Sequence, residues 1–441
     1  MSRSKIISSV DIGSTKITTL VSQYFLDEDQ INVIGVSSAR ARGIRKGQIV
    51  DIEEATESVG RSVEGAERMA GLSVKEAIIG ITAPHVSSLN SAGVVAVGDP
   101  KAEITPLDVE RVIEAARAIS LPGTSEILHV IPRHFTVDGQ EGILDPAGMT
   151  GVRLEVETNI IVSSLPAMRN LTRCLNDVGL SIGGLVYSGL ATGEAILTET
   201  EKELGVILID IGGGVTSLTI YTESFPCFVR VLPVGADNVT NDLAVGLRLS
   251  LEEAGKLKIF LSQDQGQKKE EKKKGKKNKE KAKDQKEKDE FSLRKAGIIQ
   301  EEDRKVSRLS TVDGIIKPRL DEIFSLLKEE IRESGFGGST PAGVVLTGGG
   351  AHLVGIKRSC QQTLGLPVRI GSPKPVSGLV DEIASPAYAS ALGLVNYAIK
   401  TGQGMTSKKK SFSFPGLSKM KEIKPGGLFK KIIQIVKPLM P

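Results

Sequence analysis

The sequence predicts an α/β protein built from two copies of one α/β half, with a small α+β subdomain inserted in the first copy and an amphipathic helix at the C-terminus. Three observations carry this. An apolar strand that runs into Asp-Ile-Gly, a glycine turn and a second strand occurs twice, in "VDIGSTK" around Asp11 and in "LIDIGGGVTS" around Asp210. Residues 84–164 place one clear helix among strands instead of alternating the two, the pattern of an α+β unit. The closing stretch "PGGLFKKIIQIVKPLMP" has the apolar period of a helix.

Taken in order, "KIISSVDIGSTKITTLVSQ" reads as strand, tight turn, strand, and "INVIGVSSAR" as a third strand. A helix follows from Asp51, because Ile52, Ala55, Val59, Val63, Ala66 and Ala70 recur at three- and four-residue intervals. Asp51 is its N-cap, Glu54 stands three residues on, and Gly71 ends it. "VKEAIIGI" is the next strand. In the inserted stretch "TPLDVERVIEAARAI" is a helix with Thr105 as cap and Pro106 in its first turn, flanked by the strands "GVVAV", "EILHVIPRHFTV" and "RLEVETNIIVSS". "PAMRNLTRCLNDVG" is a helix leading to the strand "SIGGLVYSG". The first pattern recurs from Val206. Residues 263–290 are a low-complexity Lys/Glu/Gln run expected to be a solvated, disordered loop. Helix resumes over "STVDGIIKPRLDEIFSLLKEEIRESG", and "AGVVLTGGGAHLVGI" is a last strand running into three glycines.

Composition removes several function classes. There is no Trp and aromatics are 4%, so stacking on nucleic-acid bases is not expected. Residues 268–290 hold 12 Lys against 7 acids, a surplus larger than the net +4 of the whole chain, so no basic globular face is implied. Cys174, Cys227 and Cys360 form no CxxC pair, and with four dispersed His they give no metal-site spacing. They read as buried thiols in a reducing cytoplasm. No long apolar stretch precedes Asp11, so no signal peptide is expected, and no segment reaches the ~20 apolar residues that span a bilayer.

The glycine turns make the chemistry. One alone is weak, since a hairpin can need glycine with no ligand. Three together let backbone N–H groups point into a common concavity and let phosphate oxygens approach. If the halves face each other, Asp11 and Asp210 meet at one cleft and can hold hydrated Mg²⁺, which takes one or two carboxylates and keeps most of its waters. Neither a Walker A loop nor a strand–GxGxxG–helix fingerprint is present.

The motifs "VDIGSTK", "LIDIGGGVTS" and "VLTGGGAHL", in this order, resemble the phosphate 1, phosphate 2 and adenosine motifs of the actin/Hsp70/sugar-kinase superfamily. The finer resemblance is to the FtsA family of bacterial actin-like division proteins. It covers nearly the whole chain, through "GIRKGQIVDIE", "LHVIPRHFTVDGQEGILDPAGMTGVRLEVE", "PVGADNVTNDLAVGL" and "VSGLVDEIASPAYASALGLVNYA". It implies an actin-like fold of duplicated ribonuclease H-like domains. Residues 1–84 with 165–193 and 376–400 would form the first, 85–164 the inserted subdomain, and 194–375 the second. Residues 401–427 would be a flexible linker, and 428–440 a membrane-targeting helix.

By position, the resemblance implies that Gly13, Ser14, Thr15 and Lys16 form the first phosphate loop and Gly212, Gly213, Gly214 and Thr216 the second. In "EEAGKLK" it puts Glu253 and Lys256 at the ribose and base, or leaves them a surface pair. Gly348, Gly349 and Gly350 would take the adenosine, while His352 reads as a packing residue. The ligands implied are ATP and Mg²⁺. Glu194 reads either as an acid that orients a water at the cleft or as a plain helix-terminal acid. ATP is therefore expected as an assembly ligand with slow turnover at most. The implied partners are the FtsZ C-terminal peptide, which Arg319 in "IIKPRLDEIF" would meet, other copies of the chain through the insertion, and later division proteins. No nucleic acid is expected.

Wound at 100° per residue, Leu428, Phe429, Ile432, Ile433, Ile435, Val436, Leu439 and Met440 fall within an arc of about 160°, and Lys430, Lys431, Gln434 and Lys437 occupy the rest. That suits a helix lying in an anionic membrane interface. The linker "TGQGMTSKKKSFSFPGLSKMKEIKPGG" would reach roughly 30 Å as a flexible coil. The resemblance thus places the chain at the cytoplasmic face of the membrane, at the division septum. Two other readings stand beside it: a small-molecule kinase of the same fold, and a PilM-like ATP-binding adaptor of a pilus machine.

Overall fold

One arrangement of strands is built twice. The computed structural model describes residues 3–98, 103–274, 289–299, 304–379 and 383–403, the side chains of 264–274 excepted. Strand β1 (Ser4–Ile12) turns back on β2 (Lys16–Phe25), which pairs with β3 (Gln30–Arg40). A small hairpin, β4 (Ile44–Arg45) and β5 (Gln48–Ile49), leads to α1 (Ile52–Ala70) and β6 (Glu76–Ile81). Asp51 caps α1 as expected, its Oδ1 accepting from the Glu54 N–H at 3.0 Å, and Gly71 closes it in the left-handed conformation.

The insertion contributes β7 (Ser87–Ala96), α2 (Pro106–Arg117), β8 (Ser125–Val137), β9 (Gln140–Ile143) and β10 (Arg153–Ser164). Thr105 and Asp108 form a capping box at the start of α2. Then come α3 (Leu165–Val178), β11 (Ser181–Tyr187), α4 (Ser188–Ile196) and α5 (Glu199–Leu204). The second half runs β12 (Val206–Ile211), β13 (Thr216–Thr222), β14 (Phe225–Leu232), α6 (Ala236–Leu247) and α7 (Leu251–Lys274). It continues through β15 (Glu290–Ser292), β16 (Lys305–Ser307), the helix Lys317–Ser334, β17 (Val344–Thr347) and β18 (Val368–Ile370). The pair Ser377–Gly378, β19, then returns to the edge of the first sheet, and the helix Ala389–Thr401 packs on that half.

The first sheet has the order β11-β6-β1-β2-β3-β19, and the second contains β18-β17-β12-β13-β14. Strand by strand the two match: β1 and β12 each pair antiparallel with the next strand and parallel with the sixth of its half, β6 and β17. Asp11 therefore lies opposite Thr18 and Gly80, and Asp210 opposite Ser217 and Thr347. The insertion has its own core of Val112, Ala116, Phe135, Leu154 and Val156. Its strands β7-β10-β8-β9 extend the second sheet past β14, joined there by the single pair Arg230–Ser87.

Two elements depart from expectation. Residues 263–274, expected to be disordered, continue α7 to Lys274, because Lys, Glu and Gln propagate a helix at little entropic cost and no proline interrupts them. Residues 275–288 of that run lie outside the described residues, as do 404–427 of the linker and the whole tail. The helix expected through "STVDGIIKPRLDEIF" is not regular either. A π turn over Val312–Ile316 precedes Pro318, whose missing N–H and ring cannot be taken up by an ordinary turn. All three cysteines are free and buried. Among the described residues no helix is long and apolar enough to cross a membrane.

Candidate functional site

The matched strand ends bring the two aspartates and the glycine turns to one cleft between the halves. A cavity of about 390 Å³ is lined by Asp11, Gly13, Ser14, Thr15 and Lys16 from one side and by Asp210, Gly212, Gly213 and Gly348–Gly350 from the other. It adjoins a second cavity of about 380 Å³ bounded by Lys258, Ile259, Ser262, His352 and Leu353. Either volume is in the range of small-ligand pockets.

Close approach of backbones explains the glycines. A Cβ on Gly213 would stand 1.7 Å from the Thr15 Oγ1 of the opposite half. Gly348 has φ +81°, and a Cβ there would meet Asp210 Oδ1 at 2.1 Å. The Thr15 hydroxyl donates across the cleft to Asp237 Oδ2 at 3.1 Å, so the first phosphate-type turn is bonded to the start of α6.

Hydroxyls hold both carboxylates. Ser188 Oγ donates to Asp11 Oδ1 at 3.2 Å; Ser390 and Thr192 donate to Asp210 Oδ2 at 3.1 and 3.3 Å. Burial, and then the Asp210 charge, push Asp11 up from 3.8 to about 6, against the pull of Ser188 and Lys16. Burial also raises Asp210, against Ser390 and Thr192. Lys16 is lowered by burial, opposed by Asp11, and its Nζ lies 3.6 Å from the centroid of the Tyr388 ring. Lys258 donates to Thr240 Oγ1 at 2.6 Å and to the Ala236 carbonyl at 3.2 Å. Two carboxylates this reluctant to ionise together suit a dication between them. Among the described residues no third acid, His or Cys joins them to complete a protein cage. The donor set fits a hydrated Mg²⁺ that takes its other ligands from water and phosphate.

Several expected residues stand elsewhere. Gly214 is outside the lining; a Cβ there would press on the Ser14 side chain and the Lys46 backbone. Thr216 is buried and donates to the Val234 carbonyl at 2.8 Å. Glu253 and Lys256 are not among the lining residues: Glu253 caps α7, accepting from the Ser250 N–H at 2.8 Å, and Lys256 pairs with Glu252 at 2.8 Å. The cause is helix phase. Ala254, Leu257 and Leu261 are the buried stripe of α7, and about 100° per residue puts Lys258, Ile259 and Ser262 on the cleft flank, with Glu253 and Lys256 on the other. Glu194 is away from the cleft, paired with Lys202 at 3.2 Å and Lys400 at 3.1 Å. His352 borders the outer cavity, bonded to Ser385 Oγ at 2.9 Å. Arg319 is forked onto Asp242, at 2.6 and 2.9 Å, with Glu322 on its third nitrogen. Asp237, Lys258, Thr192, Ser390 and Tyr388 join the site without being singled out by the sequence reading, although Asp237, Lys258, Tyr388 and Ser390 lie within stretches that carry the family resemblance; the apolar stripe of α7 also points to Lys258.

Duplicated sheets facing across a cleft, with the glycine turns and aspartates at matching strand ends, define a protein of the actin-like fold. The solved PilM–PilN type IV pilus biogenesis complex has this fold, with a TM-score of 0.60 at 16% identity over 89% of this chain and 98% of that one. The family model described as "SHS2 domain inserted in FTSA" matches residues 83–162, and that described as "Cell division protein FtsA" matches 207–393. The Cell division protein FtsA of Pseudomonas aeruginosa is 35% identical over 93% of this chain and 93% of its own length. That of Borreliella burgdorferi is 36% identical over 90% and 91%, and that of Bacillus subtilis 34% over 94% and 88%. The chain belongs to the FtsA family of cell division proteins.

Proposed function

We propose that this chain is an ATP-binding, filament-forming tether that holds FtsZ at the inner face of the cytoplasmic membrane during division and then recruits later division proteins. One observation supports the nucleotide part above the others: the three glycine turns and the two aspartates, distant in sequence, line one cavity. In this reading Gly13, Ser14, Thr15, Lys16, Gly212 and Gly213 cradle the phosphates, and Asp11 and Asp210 hold Mg²⁺ through water. Gly348–Gly350 and Lys258 face the nucleoside. Titration calorimetry with Mg·ATP tests it: Asp210→Asn should weaken binding at least tenfold, and an unchanged affinity removes Asp210 from the site.

ATP here acts on assembly, with slow turnover at most, since Glu194 is held by two lysines away from the cleft. The division of labour follows the segments. The halves 1–84 with 165–193 and 376–400, and 194–375, clasp the nucleotide. The insertion 85–164 meets the next copy. Residues 428–440 lie in the anionic membrane interface at the end of linker 401–427. Arg319 meets the FtsZ C-terminal peptide only by exchanging Asp242 and Glu322 for the peptide's acids.

A further inference from the structure

From the last residue of β3 into the β4–β5 hairpin the chain carries four cations in seven residues, Arg40, Arg42, Arg45 and Lys46. All are exposed, and among the described residues no ion pair or hydrogen bond engages their charged groups. Unpaired surface cations are common; the placement of these is not. The Ala41 N–H donates to the Thr15 carbonyl at 2.9 Å, and the Gly47 N–H donates to Ser14 Oγ at 2.8 Å. The segment is thus bonded twice to the first glycine turn. A Cβ on Gly47 would lie 1.9 Å from the Thr82 carbonyl oxygen, so the hairpin is pressed against the cleft wall.

Both ends also face the second half. A Cβ on Gly214 would come within 3.3 Å of the Lys46 Cα. At the other end Arg40 acts on Glu252 at the start of α7, whose carboxyl is held low first by Lys256 and then also by Arg40. The segment therefore borders the mouth of the cleft at its phosphate end. Inside, three carboxylates, Asp11, Asp210 and Asp237, outnumber the two lysines, Lys16 and Lys258. The interior alone does not attract a polyanion.

We propose that Arg40, Arg42, Arg45 and Lys46 form a cationic lip that captures the polyphosphate tail of an incoming nucleotide and steers it onto the glycine turns. The inference rests on the nucleotide reading above and deepens it. Charges outside the pocket act on encounter and are lost in the final contacts, so the lip sets the association rate and leaves the dissociation rate alone.

The test is stopped-flow binding of a ribose-labelled fluorescent ATP, with excess Mg²⁺, to the full chain. Charge reversal in Arg42→Glu/Arg45→Glu should slow association about tenfold or more at low ionic strength, and Arg42→Gln/Arg45→Gln by an intermediate factor. Dissociation should stay within about twofold, and the differences should collapse near 0.5 M salt, where charges more than about 5 Å apart are screened. Uncharged labelled adenosine should bind all three proteins at one rate. Equal association rates for ATP at low salt overturn the lip, as does a loss confined to dissociation. Failure of the unmodified chain to bind labelled ATP overturns the nucleotide reading itself, and the lip with it.

Discussion

Replacing Asp11 by Asn should stabilise the nucleotide-free protein while damaging its site. The Asp11 carboxyl is raised from 3.8 to about 6, first by burial and then by Asp210. A folded-state pKa above the unfolded one means that the folded chain holds this proton more tightly. Below pH 3.8 both states are protonated and the residue costs nothing. Between pH 3.8 and 6 the unfolded chain ionises first, and the cost to the fold grows; above 6 it is full and constant. The rise corresponds to about 3 kcal/mol, trimmed to roughly 2 because the carboxyl has one side on the cleft. Asn keeps an oxygen for the Ser188 hydroxyl and carries no charge. Urea unfolding without nucleotide should show Asp11→Asn more stable than the unmodified chain by about 2 kcal/mol at pH 7.5, the gap narrowing towards pH 4. Mg·ATP should stabilise the unmodified chain and fail to stabilise the variant. Equal stabilities at pH 7.5, or a gap that does not change with pH, would refute the argument that the paired aspartates are held in strain for a cation.

The phase of α7 is tested by a pair of substitutions: Lys258→Met should weaken ATP binding about tenfold, as expected for a charge-assisted contact of ~1.4 kcal/mol, and Lys256→Met should leave it unchanged, both read by calorimetry. Gly213→Ala puts a methyl 1.7 Å from Thr15 Oγ1 and should cost about 1–3 kcal/mol in denaturant unfolding, with loss of ATP binding. Ile432→Glu should release the full chain from anionic vesicles in a sedimentation assay, and persistent co-sedimentation would end the membrane reading of the tail.

Much of this was legible in the sequence because the signals are local. Asp51, Glu54 and Gly71 bound α1 through contacts no more than four residues long. The repeated Asp-Ile-Gly announced the duplicated sheet, since a buried strand ending in an acid and glycines has few structural uses. What was missed is of two kinds. Thr192, Asp237 and Ser390 reach the cleft from separate elements; Asp237 and Ser390 lie within stretches that carry the family resemblance, but no local pattern says that a hydroxyl there braces a carboxylate 180 residues away. Glu253 and Lys256 sit in a short motif whose helix phase turns them off the cleft, and Leu257 and Leu261 mark the buried side from which that phase is read. The Lys-rich run misled in the opposite direction: a composition that cannot form a core can still continue a helix, and α7 does so to Lys274.

The central claim is the tether, and vesicle flotation with fluorescent FtsZ, Mg·ATP and this chain measures it most directly. The account predicts that FtsZ floats with anionic vesicles when the full chain is present and stays below when residues 428–440 are removed. FtsZ left at the bottom of the gradient, while the chain itself floats loaded with ATP, would contradict it.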